Sequence, residues 1–198
     1  MPDELITHSL ELPRGKLRVI QPAEAAELPD DGPVEWAPLA PYWAVLWRSG
    51  VALAGELDGA PLSGQRVVEL GCGLGVPSVA AARSGALALA TDVDAEALAL
   101  VARNAAVNGV DVETAAADWT EPEELVRRGP FDLVLAADVL YERQSVAPLL
   151  SLLPRLAPEA WLADPGRAAA DAFLAEARRR WRSETRSRGV VEIHRLRF

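Results

Sequence analysis

The residues with the clearest chemical purpose are Gly71, Gly73 and Gly75, set at alternate positions in the run Val67-Val68-Glu69-Leu70-Gly71-Cys72-Gly73-Leu74-Gly75-Val76-Pro77-Ser78. The run reads as a buried strand that turns through three glycines straight into a helix. Glycine lacks a Cβ and tolerates positive φ, so a turn of this kind lets a ligand lie against bare backbone at the carboxyl edge of a sheet. The chemistry implied is nucleotide binding, and the spacing narrows it. A dinucleotide fingerprint, G-x-G-x-x-G, would need glycine where Val76 stands, and the Lys-Ser/Thr pair of a phosphate loop does not follow. A nicotinamide-dependent oxidoreductase is thereby a distant option.

Elements that could hold such a loop follow from the pattern of apolar residues. Ile6 to Ile20 contains two β-like runs around Pro13-Arg14-Gly15-Lys16, which predicts a hairpin, and the proline- and acid-rich stretch from Gln21 to Pro41 reads as an irregular surface crossing. Tyr42 to Leu57 has helical spacing. Beyond it strands and helices alternate, the signature of a parallel sheet with helices on both faces. Strands are predicted at Arg66–Leu70, Ala86–Thr91, Val112–Ala117, Phe131–Ala137 and Ala160–Ala163, and helices at Pro77–Ser84, from the cap Asp94 to Asn108, and at Glu121–Arg128. A final helix should end near Arg180. Val191 and Ile193 alternate in one phase while Leu196 and Phe198 fall in the other, which a bulge near Arg195 would reconcile.

At 198 residues, half of them hydrophobic, one domain over 1–198 is expected, with 1–40 as hairpin and approach and 41–198 as core. A net charge of −9 argues against nucleic acid, and the arginines at 178–182 and 186–188 read as a solvated helix end and turn. Cys72 is the single cysteine and His8 and His194 the only histidines, so no disulfide within the chain and no metal site are expected. With neither a leader pattern nor a long apolar stretch, the expectation is a cytoplasmic protein without a membrane span.

An acid closing the first core strand, followed by G-x-G-x-G, resembles the cofactor loop of class I S-adenosylmethionine-dependent methyltransferases. Two further segments narrow the likeness. Pro41-Tyr42-Trp43-Ala44-Val45-Leu46-Trp47, with Ser49-Gly50 and Ala52-Leu53, and Asp164-Pro165-Gly166-Arg167 after the fifth strand, are similar to motifs of the electron-transfer-flavoprotein β-subunit lysine methyltransferases and their bacterial relatives. Arg48 departs from that pattern, where relatives often carry proline. The resemblance implies a Rossmann-like, doubly wound, mostly parallel seven-stranded sheet with helices on both faces, its last strand antiparallel, and the N-terminal hairpin as an extension.

It also implies roles. Glu69 would help place the methionine end of S-adenosylmethionine against Gly71, Gly73 and Gly75, and Asp92 would accept both ribose hydroxyls, one acceptor for each donor. Asp118 would face the adenine amino group, Trp119 would either stack on that ring or serve as an apolar lid, and Trp47 would lie over the cofactor. In Ala136-Ala137-Asp138-Val139-Leu140-Tyr141 the D-x-x-Y pattern resembles that of seven-β-strand protein lysine methyltransferases. There Asp138 would orient an amine and Tyr141 would wall its channel. Arg167 would either be held by Asp164 or dock an acidic protein substrate. The activity implied is methylation of a lysine ε-amine in a protein, such as the β subunit of electron-transfer flavoprotein or a ribosomal protein. The alternatives are a nicotinamide-like small-molecule N-methyltransferase and a cofactor-binding scaffold without catalysis.

Overall fold

The computed structural model describes residues 4–25 and 41–198. Strands β1 (Leu5–Leu12) and β2 (Gly15–Pro22) make the expected antiparallel hairpin. It is tied to the rest through Asn104, whose side chain accepts from the Ile20 amide and donates to the carbonyls of Ile20 and Leu74. Most of the predicted crossing segment lies outside the described residues. The chain resumes in a single 3-10 turn, Tyr42–Ala44, and then runs through α1 (Arg48–Leu57), β3 (Arg66–Leu70), α2 (Val76–Arg83), β4 (Leu87–Asp92), α3 (Ala95–Val107), β5 (Glu113–Ala116), α4 (Glu123–Arg128) and β6 (Leu133–Ala137). A second 3-10 turn, Arg143–Ser145, leads to α5 (Val146–Leu156), β7 (Glu159–Asp164), α6 (Ala168–Arg180), β8 (Arg182–Arg188) and β9 (Val191–Arg197).

Seven strands pair in the order β5-β4-β3-β6-β7-β9-β8. Strands β3 to β7 are parallel, and β9 is antiparallel to both its neighbours, as expected. Alternate residues of β3 feed two cores: Val67 joins Leu53, Val79 and Leu100 on the α1–α3 side, while Val68 and Leu70 join Leu149, Leu153 and Phe173 on the α5–α6 side. The strand order reverses at β3, between β4 and β6, so the carboxyl ends of these three strands frame the crevice in which doubly wound sheets bind ligands.

Three expectations are corrected. The helix predicted from Tyr42 to Leu57 is broken at 45–47, because the Tyr42 carbonyl takes the Val45 amide and the Trp47 indole N–H (2.9 Å) instead of carrying a helical ladder forward. No bulge interrupts β9: its register against β7 is continuous from Glu192 to Arg197. The phase change arises because both faces of β9 are covered, Val191 and Ile193 by the α1–α3 core and Leu196 by the α5–α6 core. Finally, Arg186 and Arg188 lie on the edge strand β8 rather than in a turn, and together with Arg195 they converge on the buried carboxylate of Glu56.

Candidate active site

The glycine loop leaves β3 at Leu70 and enters α2 with Pro77 in its first turn, where a missing N–H costs nothing. All three glycines have positive φ, between 48° and 70°. Their smallness also serves the protein's own packing. A Cβ on Gly73 would lie 2.9 Å from the Trp43 carbonyl oxygen, and one on Gly71 would lie 3.0 Å from the Trp119 ring. Gly73→Ala must therefore push the Tyr42–Ala44 turn off the loop as well as hold a left-handed φ. It is expected to cost on the order of 1–3 kcal/mol of stability and to weaken cofactor binding, readable in a thermal melt and a calorimetric titration.

Glu69 is turned inward, 2 % exposed, and its carboxylate accepts from both the amide and the hydroxyl of Ser78. It thus satisfies an otherwise orphaned N–H in the first turn of α2 and fixes where the loop ends. Burial above all drives its pKa up to about 8, against the opposing Ser78 hydrogen bonds. Burial likewise pushes up the Cys72 thiol, leaving it unreactive as a nucleophile.

Asp92 ends β4, and its Oδ2 accepts from the Gly73 amide at 2.9 Å, so the loop and the strand end are locked together. Its Oδ1 accepts from the Asp94 amide, while Asp94 caps α3 as predicted. A carboxylate has about four acceptor directions, which leaves Asp92 one on each oxygen for a diol. Beside it is a hollow of about 330 Å³ lined by Val93, Ala116, Ala117, Asp118, Glu121, Glu124 and Leu125. Val93 is 72 % exposed there, an apolar surface suited to a flat ring, and the sequence reading missed it. An apolar residue directly after the strand-end acid was the available signal. Asp118 accepts from the hydroxyl and the amide of Thr120, which hold its pKa down and keep it charged. Trp119 is not part of this lining and instead covers Gly71 beside Val139.

On the other side of β3, Asp138 follows β6 with φ 58°, the one positive φ among the described non-glycine residues. Such a conformation costs of order 1 kcal/mol and is held at functional sites by surrounding bonds. Here the Asp138 amide donates to the Ala163 carbonyl (3.0 Å), and Arg167 donates to its Oδ1. Arg167 also donates to Asp164 (3.0 Å), and its guanidinium sits 5.7 Å from the Trp47 ring centre. Asp164 in turn accepts the amides of Gly166 and Arg167, which shapes the loop after β7. Burial raises the Asp138 pKa, with Arg167 and, less strongly, Ser49 opposing the rise. Its Oδ2 is buried without a hydrogen-bond partner. Tyr141 is half exposed, and partial burial raises the pKa of its phenol, with the carboxylates of Glu142 and Asp92 adding to the rise. Tyr42 is 51 % exposed, so it is no core aromatic, and it stands with Tyr141 at the mouth of the site.

The predicted residues therefore gather along one sheet edge. Asp92 and Asp118 lie on the β4–β5 side, and Asp138, Tyr141, Asp164, Arg167 and Trp47 on the β6–β7 side, with the glycines between. An acceptor pair suited to a diol, an apolar slot and an unsatisfied carboxylate oxygen are the acceptors and the apolar surface that S-adenosylmethionine and an amine would require, so the residues present fit that cofactor.

Fold and site together define a class I, Rossmann-like methyltransferase architecture. A magnesium protoporphyrin IX methyltransferase from Synechocystis PCC 6803, solved with bound SAM, shares this fold with a TM-score of 0.57 over 76% of this chain and 79% of that one, at 22% sequence identity. Residues 43–162 match the model of the lysine methyltransferase family, and the chain belongs to that family. It is 33% identical over 145 residues to the electron transfer flavoprotein beta subunit lysine methyltransferase of Xenopus laevis, covering 69% of this chain and 57% of that protein. It is also 30% identical over 114 residues to the histidine protein methyltransferase 1 homolog of Dictyostelium discoideum, covering 54% of this chain and 37% of that protein. The chain spans about half the length of the curated relatives it matches.

Proposed function

We propose that this chain is an S-adenosylmethionine-dependent protein N-methyltransferase whose acceptor is a lysine ε-amine. The observation that carries the reading is the buried, partnerless Oδ2 of Asp138 at the carboxyl end of β6, three residues before the half-exposed Tyr141. A fold tolerates an unsatisfied carboxylate oxygen at roughly 1–3 kcal/mol only where something else supplies the donor, and an amine does so. Bound S-adenosylmethionine would supply an electrophilic methyl on a sulfonium. Asp92 would hold the ribose, the hollow at Val93 and Asp118 the adenine, and the glycine loop the methionine end.

Asp138 would orient the amine through one N–H, and Arg167 on Oδ1 aims that carboxylate and opposes the rise in its pKa that burial causes. Tyr141 and Tyr42 would flank the aliphatic stem and favour an amine over an anion. Held there with its lone pair free, the neutral nitrogen would take the methyl that the cofactor supplies and would then give its extra proton to water. Orientation and exclusion of water supply most of the rate, so no covalent enzyme intermediate is called for.

The β subunit of electron-transfer flavoprotein is the first candidate substrate, on the similarity to the Xenopus laevis enzyme. Incubating the full chain with cofactor labelled in its methyl group and with recombinant flavoprotein β subunit, and separately with cell lysate, should put label in a protein band. Mass spectrometry should then find it on lysine. Label confined to the low-mass fraction would favour a small-molecule acceptor, label on histidine would overturn the lysine assignment, and cofactor binding without any transfer would favour a scaffold.

A further inference from the structure

Two polar atoms of the site lie buried without a partner, and the roles above use only one of them, Asp138 Oδ2. Ser49 is 1 % exposed and Asp138 8 %, and both Ser49 Oγ and Asp138 Oδ2 are buried without a hydrogen-bond partner. They come from distant parts of the chain. Ser49 is the second residue of α1, whereas Asp138 follows β6.

The first turn of α1 is wedged into the site by its neighbours. Trp47, just before it, is pinned to the Tyr42 carbonyl and lies under Arg167, which grips Asp138. Gly50, just after Ser49, packs against Pro77 at the start of α2, 3.8 Å from the position of a Cβ. Ser49 is thereby held between the glycine loop's helix and the Asp138 carboxylate, near enough for its hydroxyl to help keep that group charged. A serine in the first helical turn ordinarily caps or bonds back to the preceding backbone. Ser49 does neither, since the cap position belongs to Trp47, and its hydroxyl completes no bond of standard geometry.

We propose that Ser49 Oγ and Asp138 Oδ2 together form a two-acceptor seat for the incoming amine, the hydroxyl oxygen accepting one N–H and the carboxylate the second. The proposal rests on the reading of this site as an amine-methylating one. Arg167 does not fill the seat: its Nη1 serves both Asp138 Oδ1 and Asp164, and Asp138 Oδ2 is left without a partner. The seat does what a single carboxylate cannot. A primary amine has one carbon and two hydrogens, so pinning both hydrogens leaves its lone pair a single direction, which is the requirement of an in-line displacement. The seat must also distinguish amines by their number of N–H groups, since a dimethylated amine cannot engage both acceptors.

The test uses n-butylamine and N,N-dimethylbutylamine, the end of a lysine side chain with and without its spare hydrogens. At neutral pH their cations carry three N–H groups and one. Each is titrated into the full chain with S-adenosylhomocysteine present, following tryptophan fluorescence, Trp47 lying within the site. Ser49→Ala is smaller than the residue it replaces and removes no cap. It is expected to weaken n-butylammonium binding about tenfold, the worth of a hydrogen bond to a charged group, and to leave N,N-dimethylbutylammonium within about twofold, since that bond is never made. Equal weakening of both cations would mean that Ser49 merely props Asp138 and would overturn the proposal. So would no weakening of either, or a wild-type chain that takes up neither amine. Failure of the parent reading appears elsewhere, as absence of lysine label in the protein assay, which the amine titrations do not use.

Discussion

Asp138→Ala should lower methyl transfer by at least ~10²-fold while cofactor affinity stays at the parental value. The size follows from losing both the orientation of the nucleophile and the acceptor of its N–H, each worth ~10² or more in comparable sites. Cofactor affinity should persist because the groups fitted to the ribose and adenine, Asp92, Asp118 and Val93, stand on the far side of β3. Alanine also loses an acid that tolerates φ 58°, which adds of order 1 kcal/mol of strain. Asp138→Asn separates the two effects, since asparagine accepts a left-handed φ readily and keeps an acceptor oxygen but carries no charge. Arg167 retains Asp164 in either variant, so neither leaves a bare buried cation. Because burial raises the Asp138 pKa, parental activity should climb with pH through a range above that of an ordinary aspartate. Asp138→Asn should be slow and lack that limb. Single-turnover rates at saturating cofactor, with calorimetric cofactor binding, check both. A parental rate in Asp138→Ala would remove Asp138 from the mechanism.

Sequence patterning carried the parallel core and its strand ends because the apolar runs of β3, β4, β6 and β7 are buried on both faces and are closed by acids or glycines at the crevice. It lost β8, whose residues Arg182-Ser183-Glu184-Thr185-Arg186-Ser187-Arg188 contain no apolar side chain at all, since an edge strand facing water needs none. It also passed over α5, an amphipathic stretch whose internal Pro154 reads as a breaker but falls in the last turn. In the site, residue types together with the family resemblance named Asp92, Asp118 and Asp138, and the fold brings these to the carboxyl edge of the sheet. What they could not show was direction. Glu69 reads from the sequence as a ligand acid, and only the chain path that brings Ser78 over it reveals the inward turn. Ser49 stood in a quoted motif without a role for the complementary reason: a serine at a helix start is ordinary until a carboxylate more than eighty positions away is folded near it.

Glu69→Gln is expected to raise stability at pH 8–9 and to leave it nearly unchanged at pH 5. The carboxyl pKa stands at about 8 in the folded chain against an ordinary 4.5. A carboxyl whose pKa rises on folding binds its proton more tightly in the native state, so its contribution is complete below about pH 4.5. That contribution is lost progressively as pH climbs to about 8, above which the native state carries a buried charge. Each pKa unit corresponds to about 1.4 kcal/mol, so the span is on the order of a few kcal/mol for a group with no water to screen it. Glutamine is the permanently neutral counterpart of the protonated acid. Its carbonyl oxygen can still accept the Ser78 amide and hydroxyl, which preserves the cap of α2 and the shape of the glycine loop. Denaturant unfolding of both proteins across pH 5–9 should give curves that meet at the acid end and separate steadily toward the alkaline end, the variant lying above. Parallel curves would show that Glu69 is already charged throughout this range. A variant below the parent at every pH would show that the acid itself, beyond its acceptor oxygens, is needed to hold the loop.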